Sequence, residues 1–259
     1  MFGICNQSIV PCRKESAHRS EMVTQLLFGE HFTILEQIDG WVRIKTAADH
    51  YECWIASSQF LPIKPGTFEL LEKTRQPLAA QAVQPLQHKN SSTQLSIVQG
   101  STLPFLRGRN FSLESQEYEY TGEHILPDPA KISRAKVVSS AKPLLNAPYL
   151  WGGRTMFGID CSGFTQLAFK LNGMQLPRDA WQQAELGEPL SFVEESQPGD
   201  LAFFDNEEGR ITHVGLIIEG GQIIHASGRV RIDKLDHYGI FNVETKKYSH
   251  HLRVIKRVL

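Results

Sequence analysis

A helical stripe that opens on a cysteine, followed by strand-like runs that carry histidines, restricts this chain more than any other feature. Phe164, Leu167, Ala168 and Leu171 recur at helical spacing, and Gly173 supplies a stop signal two residues beyond the last of them. Cys161 therefore begins the helix, with Asp160 as its cap. Further on, Asp200-Leu201-Ala202-Phe203-Phe204, His213-Val214-Gly215-Leu216-Ile217-Ile218 and Gln222-Ile223-Ile224-His225-Ala226 read as successive strands, separated by a polar turn at 205–209 and by Gly220-Gly221. This order sets a β-meander against helices, the α+β class.

The same residues suggest chemistry. Unpaired N–H groups and the positive dipole end at a helix start favour thiolate over thiol, so a lowered pKa is expected for Cys161. A cysteine nucleophile needs a base, and His213 and His225 lie on adjacent antiparallel strands. A two-residue turn would put them on opposite faces, so a shared face requires an odd connection or a bulge near Gly220. Taken alone, a cysteine is more often a small buried apolar residue, and a strand histidine more often a satisfied core residue. Cysteine and two histidines also form a zinc-ligand set, but no short-range ligand spacing joins these three.

Composition narrows the rest. A chain of 259 residues with 41 % apolar and 21 % charged content suits one or two ordinary globular domains. Lys+Arg 27 against Asp+Glu 28 gives a formal net charge of -1, which speaks against nucleic acid or an anionic membrane as partner. The start, Met1-Phe2-Gly3-Ile4-Cys5, has neither the basic region nor the apolar stretch of a signal peptide, and a cytoplasmic location is expected. Cys5, Cys12 and Cys53 read as reduced thiols. Short apolar runs up to residue 62, with a hairpin signal at Asp39-Gly40, predict a small barrel over residues 1–62. Leu61 to Gly66 reads as a linker, and residues 63–127 as a second, less regular barrel. The texture changes at Leu126-Pro127-Asp128-Pro129, and residues 128–259 form a third domain that opens with an amphipathic helix from Lys131 to Leu145, bent or ended near Pro143.

Pro148-Tyr149-Leu150-Trp151-Gly152-Gly153, Asp160-Cys161-Ser162-Gly163-Phe164, Pro177-Arg178-Asp179, Pro198-Gly199-Asp200-Leu201, and His213-Val214-Gly215 followed by His225-Ala226 together resemble the NlpC family of bacterial cell-wall cysteine peptidases. The resemblance covers the chain from about residue 130 onward, and the preceding part looks like bacterial Src-homology-3-type barrels. It implies a papain-like catalytic domain, helices packed on an antiparallel sheet, preceded by two small all-β barrels. It also implies Cys161 as nucleophile, His213 as base, His225 as its orienting partner, and the Cys161 N–H with the Tyr149 phenol as oxyanion donors, with no metal or cofactor.

The order barrel, barrel, peptidase, with Gln25-Leu26-Leu27-Phe28-Gly29-Glu30 and Tyr51-Glu52-Cys53-Trp54, resembles more narrowly the γ-D-glutamyl-L-diamino acid endopeptidases, or dipeptidyl-peptidases VI. That implies release of L-Ala-γ-D-Glu from diaminopimelate or L-Lys in murein peptides with a free N-terminal L-Ala, as part of murein recycling, and a monomer is expected. A substrate ammonium requires a carboxylate in a partly desolvated pocket, for which Glu30, Tyr51 and Asp160 are the candidates. Ser162 and Asp179 would hydrogen-bond the peptide, and Trp151 would form an apolar wall. Ala180 follows Asp179 where the family often has Ser, which removes one side-chain hydrogen bond. A non-catalytic wall-peptide binder and an amidase or acyltransferase are the other classes open to this scaffold. Glu30→Gln is expected to lower kcat/KM on peptides with a free amino terminus by roughly tenfold or more. Unchanged kinetics on such a peptide would remove Glu30 from the site.

Overall fold

Short alternating runs build the first of two units, Met1–Pro127 and Asp128–Leu259, into which the computed structural model, describing every residue but Ser92, divides. Strands β1 (Phe2–Ile4), β2 (Ile9–Arg13), β3 (Met22–Leu27), β4 (His31–Ile38), β5 (Trp41–Thr46), β6 (Glu52–Ala56) and β7 (Leu61–Ile63) form one antiparallel sheet in the order β3-β2-β6-β5-β4-β1-β7. Asp39 and Gly40 turn β4 into β5 with φ of 41° and 80°, the positive values that a tight hairpin of this twist requires. Val10, Cys12, Leu26, Phe32, Val42, Ile44, Cys53 and Ile55 point inward from successive strands and make its core.

Leu61 to Gly66 is not a linker: it is β7 followed by the start of α1 (Pro65–Lys73). Pro62 is tolerated because β7 is the edge strand, and Pro65 sits in the first helical turn, where N–H groups have no partner in any case. Next come β8 (Leu78–Ala79), β9 (Val83–His88), β10 (Thr93–Val98), β11 (Asn110–Leu113), β12 (Gln116–Tyr120) and β13 (His124–Ile125). Among the described residues they pair as a four-stranded sheet, β10-β9-β12-β11, and a ribbon, β13-β8, where a second barrel is expected. Leu86, Ile97, Phe111, Leu113, Tyr118 and Tyr120 cluster with Ile4 of the first sheet, with Phe28 in the turn after β3 and with Leu71 of α1. With that cover, the sheet need not close on itself to exclude water.

In the second unit α2 (Arg134–Ala141), capped by the Ser133 hydroxyl, gives way to a 3-10 turn, Lys142–Leu144, that contains Pro143. There follow β14 (Arg154–Thr155), β15 (Gly158–Ile159), α3 (Cys161–Lys170), α4 (Ala180–Gln183), β16 (Glu188–Leu190), β17 (Leu201–Asp205), β18 (Ile211–Ile218), β19 (Gln222–Ser227), β20 (Arg229–Leu235), β21 (Gly239–Asn242) and β22 (Lys247–Arg257). The sheet runs β16-β22-β17-β18-β19-β20-β21, and β21 pairs back onto β22, so strands β17 to β22 close into a barrel. Helix α3 packs on α2, β18 and β19. Helix on antiparallel sheet is the expected relation, and the papain-like description extends no further than that, because the sheet is closed. No helix among the described residues is long and apolar enough to cross a membrane.

Every residue of α3 is buried, not only its apolar stripe. Phe164 and Phe169 are fully enclosed, each contributing about 1.5–3 kcal/mol. The polar side chains on the helix require internal partners: Thr165 donates to Gln183 Oε1 at 2.7 Å, and Gln166 Nε2 donates to the Leu176 carbonyl at 2.9 Å. Below the barrel, the Asp200 carboxylate is wholly buried and accepts from Arg134 Nη1 at 2.6 Å, Arg257 Nη2 at 3.0 Å and the Gln197 N–H at 2.9 Å. It ties the start of α2 to the end of β22. Asp200→Ala should therefore destabilise the fold by about 3 kcal/mol, read as a lower urea midpoint at unchanged slope. A midpoint equal to that of the parent protein would show that the two arginines find equivalent partners.

Candidate active site

Cys161 owes its position to the residue before it. The Asp160 carboxylate caps α3 by accepting from the Gly163 N–H at 2.7 Å, and its other oxygen accepts from the Gly152 N–H at 2.8 Å. Arg178 lies against both oxygens, with Nη1 at 3.2 Å and Nη2 at 2.5 Å, and its Nη1 also donates to Ser162 Oγ at 2.7 Å. Gly152 reaches the carboxylate through a positive φ of 77°. A Cβ on Gly163 would stand 2.3 Å from the Gly153 carbonyl oxygen, so this stretch lies on the helix start at a distance only glycine permits. The Cys161 sulfur is thereby set 4.0 Å from the carbonyl of Thr212, the residue before His213.

The two histidines share a face. Strands β18 and β19 pair Gly215 with His225 and Ile218 with Gln222, which leaves the three-residue connection Glu219-Gly220-Gly221, an odd one as required. His213 Nε2 and His225 Nδ1 are 2.8 Å apart. Gly215, directly opposite His225, permits the close approach of β19: a Cβ there would lie 2.6 Å from Ile223 Cδ1 and 2.9 Å from the His225 Cβ. On the far side, His225 Nε2 lies 3.1 Å from Asp233 Oδ2, on β20. His250, from β22, stacks on His213 with ring centroids 4.1 Å apart and planes 22° from parallel.

Electrostatics correct one expectation. Burial, and next the Asp160 carboxylate, push the Cys161 thiol up to about 12, while the Val214 N–H, the Arg178 charge and the Ser162 N–H pull it down. A helix dipole worth at most about 2 kcal/mol does not offset the loss of water and an adjacent carboxylate. Burial drives His213 well below its ordinary value, with His250 and His225 adding to the effect, and burial lowers His250 to about 4. Both shifts favour the uncharged forms of the Cys161 thiol and the His213 imidazole, which suits general-base activation over a preformed ion pair. Tyr149, whose phenol burial pushes up to about 12 with the nearby Cys161 adding to it, keeps its proton and is able to donate.

The ring nitrogens of His213, His225 and His250 lie within 4.8 Å of one another, the arrangement among the described residues nearest to a metal site. The stack of His213 on His250 keeps their in-plane lone pairs in nearly parallel planes, and the 2.8 Å contact occupies His213 with His225. Neither feature suits convergence on one ion.

Residues 146–252, which hold this whole cluster, match the NlpC/P60 family, and residues 12–60 match the bacterial dipeptidyl-peptidase Sh3 domain. The chain carries an NlpC/P60 cysteine-peptidase domain. It is 28 % identical to a gamma-D-glutamyl-L-lysine dipeptidyl-peptidase of Bacillus subtilis (strain 168) over 239 residues, 87 % of this chain and 75 % of the relative. It is also 28 % identical to dipeptidyl-peptidase 6 of Lysinibacillus sphaericus, over 84 % of this chain and 85 % of that one. A crystal structure of an NlpC/P60 family protein from Bacillus cereus ATCC 10987 matches with a TM-score of 0.82 over all of both chains at 20 % identity, which shows the fold.

Within the NlpC/P60 domain the structure brings Cys161, His213, His225, Asp160, Ser162 and Tyr149 into one neighbourhood. The Asp160 and Ser162 side chains are engaged with each other and with Arg178, a residue the sequence reading left aside. Asp179 caps α4, and Trp151 is exposed. Glu30 and Tyr51 belong to the first unit, where Glu30 accepts from the Leu27 N–H at 2.9 Å and Tyr51 packs at the edge of the sheet core. Asp233 and His250 are not assigned by the sequence, because neither sits in a local motif. For Asp233 a signal existed, since the alternation that puts His213 and His225 on one face continues through Gly228 to Arg231 and Asp233. Alkylation of Cys161 by iodoacetamide should accelerate by up to about tenfold per pH unit above neutrality, because thiolate becomes more abundant as pH climbs toward the raised value. A rate that is flat from about pH 6 to 9 would instead reveal a preformed thiolate–imidazolium pair.

Proposed function

We propose that this cysteine peptidase cleaves the γ-D-glutamyl-L-diamino acid bond of murein peptides with a free N-terminal L-Ala and releases L-Ala-γ-D-Glu in wall-peptide recycling. In this reading the Cys161 sulfur attacks the amide carbonyl as His213 takes the thiol proton. His213 then returns that proton to the leaving amine, and the thioester is hydrolysed by a water that His213 deprotonates. The Cys161 N–H, unpaired at the first turn of α3, and the Tyr149 phenol meet the charge on the carbonyl oxygen. One observation carries the reading: the likeness to the two named dipeptidyl-peptidases spans both the Sh3 domain and the catalytic domain.

Incubation with L-Ala-γ-D-Glu-L-Lys and L-Ala-γ-D-Glu-diaminopimelate, with product masses recorded, tests it. The expected products are the dipeptide and the free diamino acid, with no cleavage of the N-acetylated peptides. Cys161→Ala should lose more than about 10⁴-fold in turnover while still binding peptide by calorimetry. Both peptides surviving intact, or cleavage at another bond, would overturn the substrate; turnover by the alanine variant would overturn the nucleophile.

A further inference from the structure

A histidine pair leaves open which ring carries which proton. Neutral His225 can accept at Nδ1 or donate from it, and either choice satisfies the 2.8 Å contact with His213 equally well. Only one choice leaves His213 with a lone pair for the thiol proton. Something beyond the pair has to decide.

We propose that Asp233, clamped by Arg231, is the positioning residue that fixes the proton order of both histidines; the inference rests on His213 being the base. The Asp233 side chain has no exposure, and both its oxygens are occupied by donors. Oδ1 accepts from the Val243 N–H at 2.9 Å and from Arg231 Nη2 at 3.1 Å, while Oδ2 accepts from Arg231 Nε at 2.6 Å. The same Oδ2 faces His225 Nε2 at 3.1 Å. Arg231 is itself held by Glu244 Oε2 and Asn242 Oδ1, each at 3.0 Å. Hydrogen bonds from His225, Arg231 and Val243 hold the carboxyl far below its ordinary range despite burial, so it accepts and never donates.

The order then follows bond by bond. His225 Nε2 carries a proton, because it faces an obligate acceptor. Burial keeps His225 neutral, so its Nδ1 is a lone pair. The contact between the rings needs one proton, and His213 Nε2 supplies it. His213 Nδ1 is left as the lone pair, the nitrogen able to take the Cys161 proton. Register makes the path direct: β18, β19 and β20 are consecutive strands, and each step from His213 to His225 to Asp233 is a diagonal on one face.

Asp233→Asn tests this with almost no change of shape. An amide nitrogen in the Oδ1 position would confront two fixed donors, Val243 N–H and Arg231 Nη2. In the Oδ2 position it confronts one fixed donor, Arg231 Nε, and His225 Nε2, which alone can respond by moving its proton. The variant therefore reverses the order: His225 donates from Nδ1, His213 accepts at Nε2, and its proton moves to Nδ1, where the base is blocked.

The measurement is ¹⁵N NMR of imidazole-labelled full-length enzyme near neutral pH, beside kinetics on the tripeptide. The parent protein should show His213 and His225 protonated at Nε2, and the folded variant both at Nδ1. KM should hold within about twofold while kcat falls toward the roughly 10⁴-fold loss that a wrong-tautomer imidazole causes in a serine triad. A parent spectrum with the His213 proton on Nδ1 overturns the inference even where the variant fails to fold, and so does a variant that keeps the parent tautomers. Reversed tautomers with undiminished kcat would overturn His213 as base, and the inference with it.

Discussion

The Asp160 carboxylate is the point on which the catalytic unit is assembled. Five donors converge on it: the N–H groups of Gly152 and Gly163, the Ser162 hydroxyl, and two guanidinium nitrogens of Arg178. Taking such an ion pair out of water costs several kcal/mol per ion, and only full hydrogen bonding makes it tolerable. The satisfied carboxylate in turn starts α3, holds the Gly152-Gly153 stretch on the helix and seats Arg178. It also works against the cysteine beside it, since the charge that positions the thiol opposes its ionisation. Across from it, the Thr212 carbonyl lies 4.0 Å from the Cys161 sulfur, and Thr212 precedes His213 on β18.

Register supplies what charge does not. Antiparallel strands joined by odd connections keep one parity on one face, so a histidine on β18 meets a histidine on β19 and a carboxylate on β20 without any long side chain having to search for its partner. Barrel closure adds His250 from the other side, where it stacks on His213. The His213 imidazole is thus held at one edge by a hydrogen bond and on one face by a ring. Its freedom to rotate is small, and its surroundings are dry.

Local signals made the helix start and the meander readable. Asp160 as a cap, the stripe from Phe164 to Leu171, and glycines at the turns each act within a few residues. The same local reading took Pro65-Gly66 for a break, although Pro65 stands where a helix accepts proline best. Non-local facts stayed hidden. Closure of β21 on β22 and the stacking of His250 join residues whose proximity depends on the finished sheet, and Arg178 meets Asp160 only once the chain returns past α3. The thiol's environment was misjudged for a related reason: a helix dipole is visible in sequence, whereas the depth of burial that outweighs it is not. For residues 63–127, strand spacing does not tell whether another sheet will cover the exposed face.

Strand β22 pairs with β16, β17 and β21, carries His250, and brings Arg257 to Asp200. It is also the last of the barrel's strands in chain order. During synthesis the barrel's other strands leave the ribosome before the one that joins both open edges. A nascent chain therefore cannot complete the stacked histidine face early, and the peptidase stays unassembled until its final strand has emerged.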